Sequence, residues 1–113
     1  MPGKNQDIQQ KLQQLRQQYA EKLPARINAL EQQWLSLNLN TPSAQYEDLI
    51  REFHSLAGSG TSFGFPLITT LAREIEQLLL EAKSPVKRNL EEMKNEINAK
   101  LAYLKQAVIE ELA

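Results

Sequence analysis

Apolar residues recur at three- and four-residue steps along almost the whole chain, and that spacing predicts helices and no strands. The first run covers residues 5–38, with Ile8, Leu12, Leu15, Tyr19, Leu23, Ile27, Leu30, Trp34 and Leu37 on one stripe. Steps of four and three give an amphipathic helix with a single buried face. Gln9, Gln10, Gln13, Gln14, Gln17 and Gln18 fill its outward face. Pro24 interrupts the run while the stripe keeps phase across it, so a kink is expected there, or a break that puts Pro24 at the start of a second piece.

Asn38–Ser43 is a turn by composition, and Thr41 or Ser43 can cap the next helix. That second helix is expected over about 43–62, with Tyr46, Leu49, Ile50, Phe53, Ala57 and Gly60 on its inner face. Gly64 is the residue suited to close it. Pro66 opens a third helix, whose stripe is Leu67, Ile68, Leu71, Ile75, Leu78, Leu79 and Ala82. Ser84-Pro85 stops it, and the fourth helix carries the seam Leu90, Met93, Ile97, Leu101, Leu104, Val108 and Leu112. Four such helices on short connections predict an all-α, antiparallel up-down four-helix bundle, the first helix kinked or broken near Pro24. At 113 residues, 1–113 reads as one domain, open to being one part of a larger multidomain regulator. The last turns of the fourth helix are long for the bundle and are expected to project.

Charge and composition narrow the function by exclusion. Thirteen basic residues against fourteen acidic ones give no basic field for nucleic acid or anionic lipid. No apolar run approaches the ~20 residues that span a bilayer, and the first residues lack the apolar core of a signal peptide. A cytoplasmic protein fits these absences. Without cysteine there is neither a disulfide framework nor thiol chemistry. The one histidine has no Glu-x-x-His partner of the kind metal-binding bundles use, so no metal site is expected. No Walker-type loop is present to hold a nucleotide.

What remains is the stretch Phe53-His54-Ser55-Leu56-Ala57-Gly58-Ser59-Gly60-Thr61-Ser62-Phe63-Gly64-Phe65, which holds that histidine and three of the four glycines. At ~100° per residue His54 falls on the flank of the second helix's stripe, half supported by the core and half open to water. Side chains on a helix lean toward its N-terminus, so the residue four positions on would cover the imidazole. Here that residue is Gly58, which leaves it bare at a cost of ~1 kcal/mol relative to alanine. Glycines in this number suggest that something approaches the backbone closely around His54. A neutral imidazole is a good nucleophile near neutral pH.

This stretch resembles the phosphorylation-site signature of histidine-containing phosphotransfer (HPt) domains, and is most similar to the phosphotransfer domain of chemotaxis histidine kinases. The similarity runs without a gap from about Arg51 to Leu80. It implies that His54, midway along the second helix, accepts a phosphoryl group on Nε2 and passes it to or from a receiver-domain aspartate. It implies that Gly58 is the small residue beside the histidine and that Glu76 hydrogen-bonds Nδ1 and orients the ring. The partners implied are a response-regulator receiver domain and a histidine kinase. The domain needs no cofactor of its own, Mg²⁺ being supplied by the receiver, and is a phosphocarrier and not an enzyme. A monomer is expected.

Where the family usually has a lysine three residues after the histidine, this chain has Ala57. Arg51, a turn before His54, and Arg73, a turn before Glu76, are the candidate cations for the phosphoryl oxygens or a docked receiver. Ser59 is a candidate contact too, although it, Ser55, Thr61 and Ser62 can equally turn back on the helix backbone. Phe63 and Phe65 are expected to plug the bundle end, and Phe53 and Trp34 to lie in the core. Two other readings remain open: a phosphorylation-incompetent domain that only docks a partner, suggested by Ala57, and a helical adaptor or dimerisation module, suggested by the seam of the last helix.

Overall fold

A computed structural model describes residues 2–37, 43–83 and 90–112. They form four helices, α1 (Pro2–Leu35), α2 (Ser43–Phe63), α3 (Pro66–Lys83) and α4 (Leu90–Leu112), with no strand among the described residues. The expected turn at Asn38–Ser43, with its capping side chains, and the stop at Ser84-Pro85 lie outside them, as do the side chains of Leu90 and Leu112.

The apolar stripes meet in one core. Leu23, Ile27, Leu30 and Trp34 of α1 are buried with Leu49, Phe53 and Leu56 of α2, Ile68, Ile75 and Leu79 of α3, and Ile97, Leu101 and Leu104 of α4. The Trp34 indole N–H, which a core tryptophan must place somewhere, donates to Asn98 Oδ1 at 2.8 Å. Contacts link α1 to α2, α2 to α3, α3 to α4 and α4 back to α1. On the α1–α2 and α1–α4 seams, numbering that rises on one helix falls on its neighbour. Arg16 reaches Phe63, Tyr19 reaches Ser59 and Arg26 reaches Ser55. Arg16, Glu31 and Trp34 meet Glu111, Lys105 and Asn98 of α4.

The expected α1 is corrected on two points. Of a kink or a break at Pro24, the break does not occur, since the helix runs through it as one element. Proline inside a helix costs about 3 kcal/mol, yet Leu23 and Ile27 on either side are both fully buried, and their packing holds the helix together. Nor is the α1 stripe buried throughout, because Ile8, Leu12 and Leu15 are at least half exposed. At Arg16 the helix meets the α2–α3 turn and the end of α4, so the turns before it find little to pack against. Leu67 is exposed as well, at the rim of α3. The end of α4 is less free than its length suggests: Ala107 and Val108 are buried and Glu111 is paired with Arg16.

Gly64, at φ +80°, ends α2. Phe65 N–H donates to Gly60 O at 2.8 Å and Gly64 N–H to Thr61 O at 3.2 Å, the paired bonds of a Schellman cap. Phe65 is thereby turned into the core, with Tyr19 stacked on Phe63 at 4.5 Å and the Arg16 guanidinium 4.2 Å from the Phe65 ring centre. The two phenylalanines close that end of the bundle.

Gly60 serves packing and not the histidine. A Cβ there would stand 2.7 Å from Thr69 Oγ1 and 3.3 Å from Thr69 N. Thr69 is buried against α2 and donates to Ala57 O at 3.1 Å. At Gly58, by contrast, a Cβ meets nothing within 4 Å. Gly60→Ala is therefore expected to destabilise the fold by about 1–3 kcal/mol through overpacking. Gly58→Ala should stabilise it by about 0.5–1 kcal/mol through helix propensity. Urea unfolding followed by circular dichroism measures both, and equal signs for the two would refute the distinction.

Candidate functional site

His54 lies in the fourth turn of α2, and its side chain is 77% exposed. Its neighbours Phe53, Leu56 and Ala57 are buried in the core. The backbone carrying the ring is thus fixed while the ring itself stands in water. From α3, Glu76 reaches across so that its Oε2 lies 2.9 Å from His54 Nδ1. A carboxylate only accepts, so Nδ1 carries the proton, and in the neutral ring the lone pair then sits on Nε2. The Glu76 side chain is only 14% exposed, which shelters the bond from competing water. His54 makes no other hydrogen bond among the described residues.

The remaining residues singled out by sequence fall on different sides of the ring. Arg51 pairs with Asp48 at 3.6 Å, both largely exposed, a geometry worth well under 1 kcal/mol. With Glu47, Ile50 and Leu80, Arg51 lines a shallow groove that ends at His54 and Glu76. Arg73 is exposed and makes no ion pair among the described residues. Gly58, one turn after His54, is exposed.

Ser59 is half-buried and fully engaged. Its hydroxyl donates to Leu56 O at 3.1 Å and accepts from Tyr19 Oη at 2.7 Å and Arg26 Nη1 at 3.3 Å. Thr61 and Ser62 donate back to Ala57 O and Gly58 O. Ala57 is buried, so no cation can replace it without leaving the core. Burial pushes the Tyr46 phenol above its ordinary value, two turns from His54 on the core side.

Sequence reading missed Arg26. It lies in the middle of α1, where a half-buried arginine beside Ile27 looks like any residue flanking a stripe. Its guanidinium crosses to α2 and donates to Ser55 Oγ at 3.2 Å as well as to Ser59. Nothing in the local pattern says which helix α1 faces there.

The site is thus an exposed histidine of α2 hydrogen-bonded by a sheltered carboxylate of α3. The chain belongs to the Hpt domain family, whose model matches residues 14–108. HPt domains are phosphocarriers of two-component signalling. Comparison with curated proteins and with solved structures gives no match. No described helix is long and apolar enough to cross a membrane, and no cluster of metal-ligating side chains occurs among the described residues.

The Glu76 contact has a spectroscopic consequence. In the intact protein, ¹⁵N shifts of the His54 ring should report the Nδ1–H tautomer. Glu76→Ala should lose that bias with the helical circular dichroism unchanged. Identical ring shifts in the two proteins would show that the bond does not hold in solution.

Proposed function

We propose that the chain is an antiparallel up-down bundle in which Nε2 of His54 accepts a phosphoryl group and exchanges it with a receiver-domain aspartate. The observation that carries this reading is the pairing of an exposed ring with a sheltered carboxylate through Nδ1. In the forward step the Nε2 lone pair attacks phosphorus and an Nε2–P bond forms. The O–P bond of the donor aspartyl phosphate breaks, and the aspartate leaves as a carboxylate. The ring, with Nδ1–H retained, becomes positively charged. Glu76, already hydrogen-bonded there, offsets that charge as it develops, as a carboxylate does for a catalytic imidazole. The return step reverses each of these events.

The bare surface at Gly58 lets the donor approach along the side of the ring, and the groove of Glu47, Ile50, Arg51 and Leu80 offers a mixed apolar and charged rim for docking. The receiver brings the Mg²⁺ and the acidic pocket that the transfer requires. His54, Glu76 and Gly58 form the phosphoryl site, and Arg51 and Arg73 lie at its docking edge. Ser59 contributes by holding α1 against α2. A domain that docks a receiver without being phosphorylated is the reading favoured by Ala57, and it predicts binding without label.

Labelling by a phosphorylated receiver tests the proposal. His54→Gln should take up no phosphoryl group while keeping its helical spectrum, and full labelling of that variant would refute the assignment. Glu76→Ala should slow labelling by about ten- to a hundredfold, as the loss of an orienting partner commonly does.

A further inference from the structure

Arg26 is a half-buried cation for which no carboxylate partner exists among the described residues. Among the described residues its only partners are two neutral hydroxyls, Ser55 and Ser59. Partial burial of a charge is costly unless an opposite charge or good hydrogen bonds offset it. Two hydroxyl bonds use two of the five guanidinium N–H donors and leave three. Ser59 cannot draw nearer as a counter-charge, because its own proton is committed to Leu56 O and it already accepts from Tyr19. The arrangement holds a positive charge in place without neutralising it.

Its position gives that charge a use. Ser55 follows His54 directly, and Gly58 stands one turn beyond both, with nothing within 4 Å of where a side chain would begin. Glu76 approaches the ring from α3, whereas Arg26 approaches this face from α1. A phosphoryl group on His54 brings close to two negative charges into a surface where the nearest ionised partner, Glu76, is itself an anion. Arg51 is largely exposed, only weakly paired with Asp48, and lines the groove shared with Glu76, and position 57 is buried.

We propose that Arg26 is the phosphoryl-binding cation of this site, meeting the oxygens of a phosphoryl group on His54 across the space left open at Gly58, with Ser55 and Ser59 holding it ready. The guanidinium presents parallel N–H donors that suit a phosphoryl group. The inference rests on His54 being the phosphorylated residue.

The test uses the intact protein and potassium phosphoramidate as a small donor, which removes the need for a partner. His54 Nε2 gains a bond to phosphorus, the donor's P–N bond breaks, and its nitrogen leaves as ammonia. Phosphorylation is read by ³¹P NMR. Arg26→Ala should lower the labelling rate about tenfold, the scale of one charge-assisted contact to a solvent-open anion, and Arg26→Lys should recover most of it. The last ionisation of the phosphoryl group, followed through its ³¹P shift, should move upward by about half a pH unit in Arg26→Ala, since a nearby cation favours the dianion. A role confined to packing would leave that midpoint unmoved. Label on wild type but not on His54→Gln, with rate and midpoint unchanged in Arg26→Ala, overturns the inference and leaves the phosphotransfer reading intact. A wild-type protein that takes no label overturns both.

Discussion

The close approach of α3 to α2 at Gly60 sets the geometry of everything above it. With no Cβ in the way, Thr69 drops into the interface and donates to the carbonyl of Ala57, with the Thr61 hydroxyl beside it at 3.2 Å. That contact fixes how far α3 has slid along α2. Seven residues on, about 10 Å at the helical rise, Glu76 arrives abreast of His54. A displacement of one residue would rotate the carboxylate some 100° around its helix and away from the ring. The 2.9 Å bond at Nδ1 is thus a product of packing two turns away.

Much of this was legible in the sequence because helical periodicity is a local signal. The four helices, the role of Gly64 as a cap and of Pro66 as a first-turn residue, and the burial of Phe53 and Trp34 follow from spacing and conformational preference alone. What escaped was set by distance between helices. The exposure of Ile8, Leu12 and Leu15 depends on where the neighbouring helices end, which no stripe records. Continuity through Pro24 depends on how well Leu23 and Ile27 pack. Gly60 looked like a sign of something near the histidine, whereas its reason is a threonine from the next helix. Arg26 sits 28 positions before His54 and could be connected to it only by knowing which face of α1 meets α2.

The site divides its surroundings by charge. On the α3 side a sheltered carboxylate faces Nδ1, and on the α1 side a half-buried guanidinium rests on serine hydroxyls. On the proposed reading, the ring would turn positive while the group it carries is negative, and the two partners would answer one charge each.

Arg16 gathers three parts of the chain at one pole, bonding the Phe63 carbonyl and Glu111 while lying over Phe65. The first and last helices therefore come together beside the α2–α3 turn, and α1 overhangs that pole by some 14 residues, about 20 Å. A fluorophore or affinity handle attached to this overhang would stand well clear of the imidazole. For surface immobilisation or single-molecule work, tethering by that arm would leave the histidine face turned outward to any visitor.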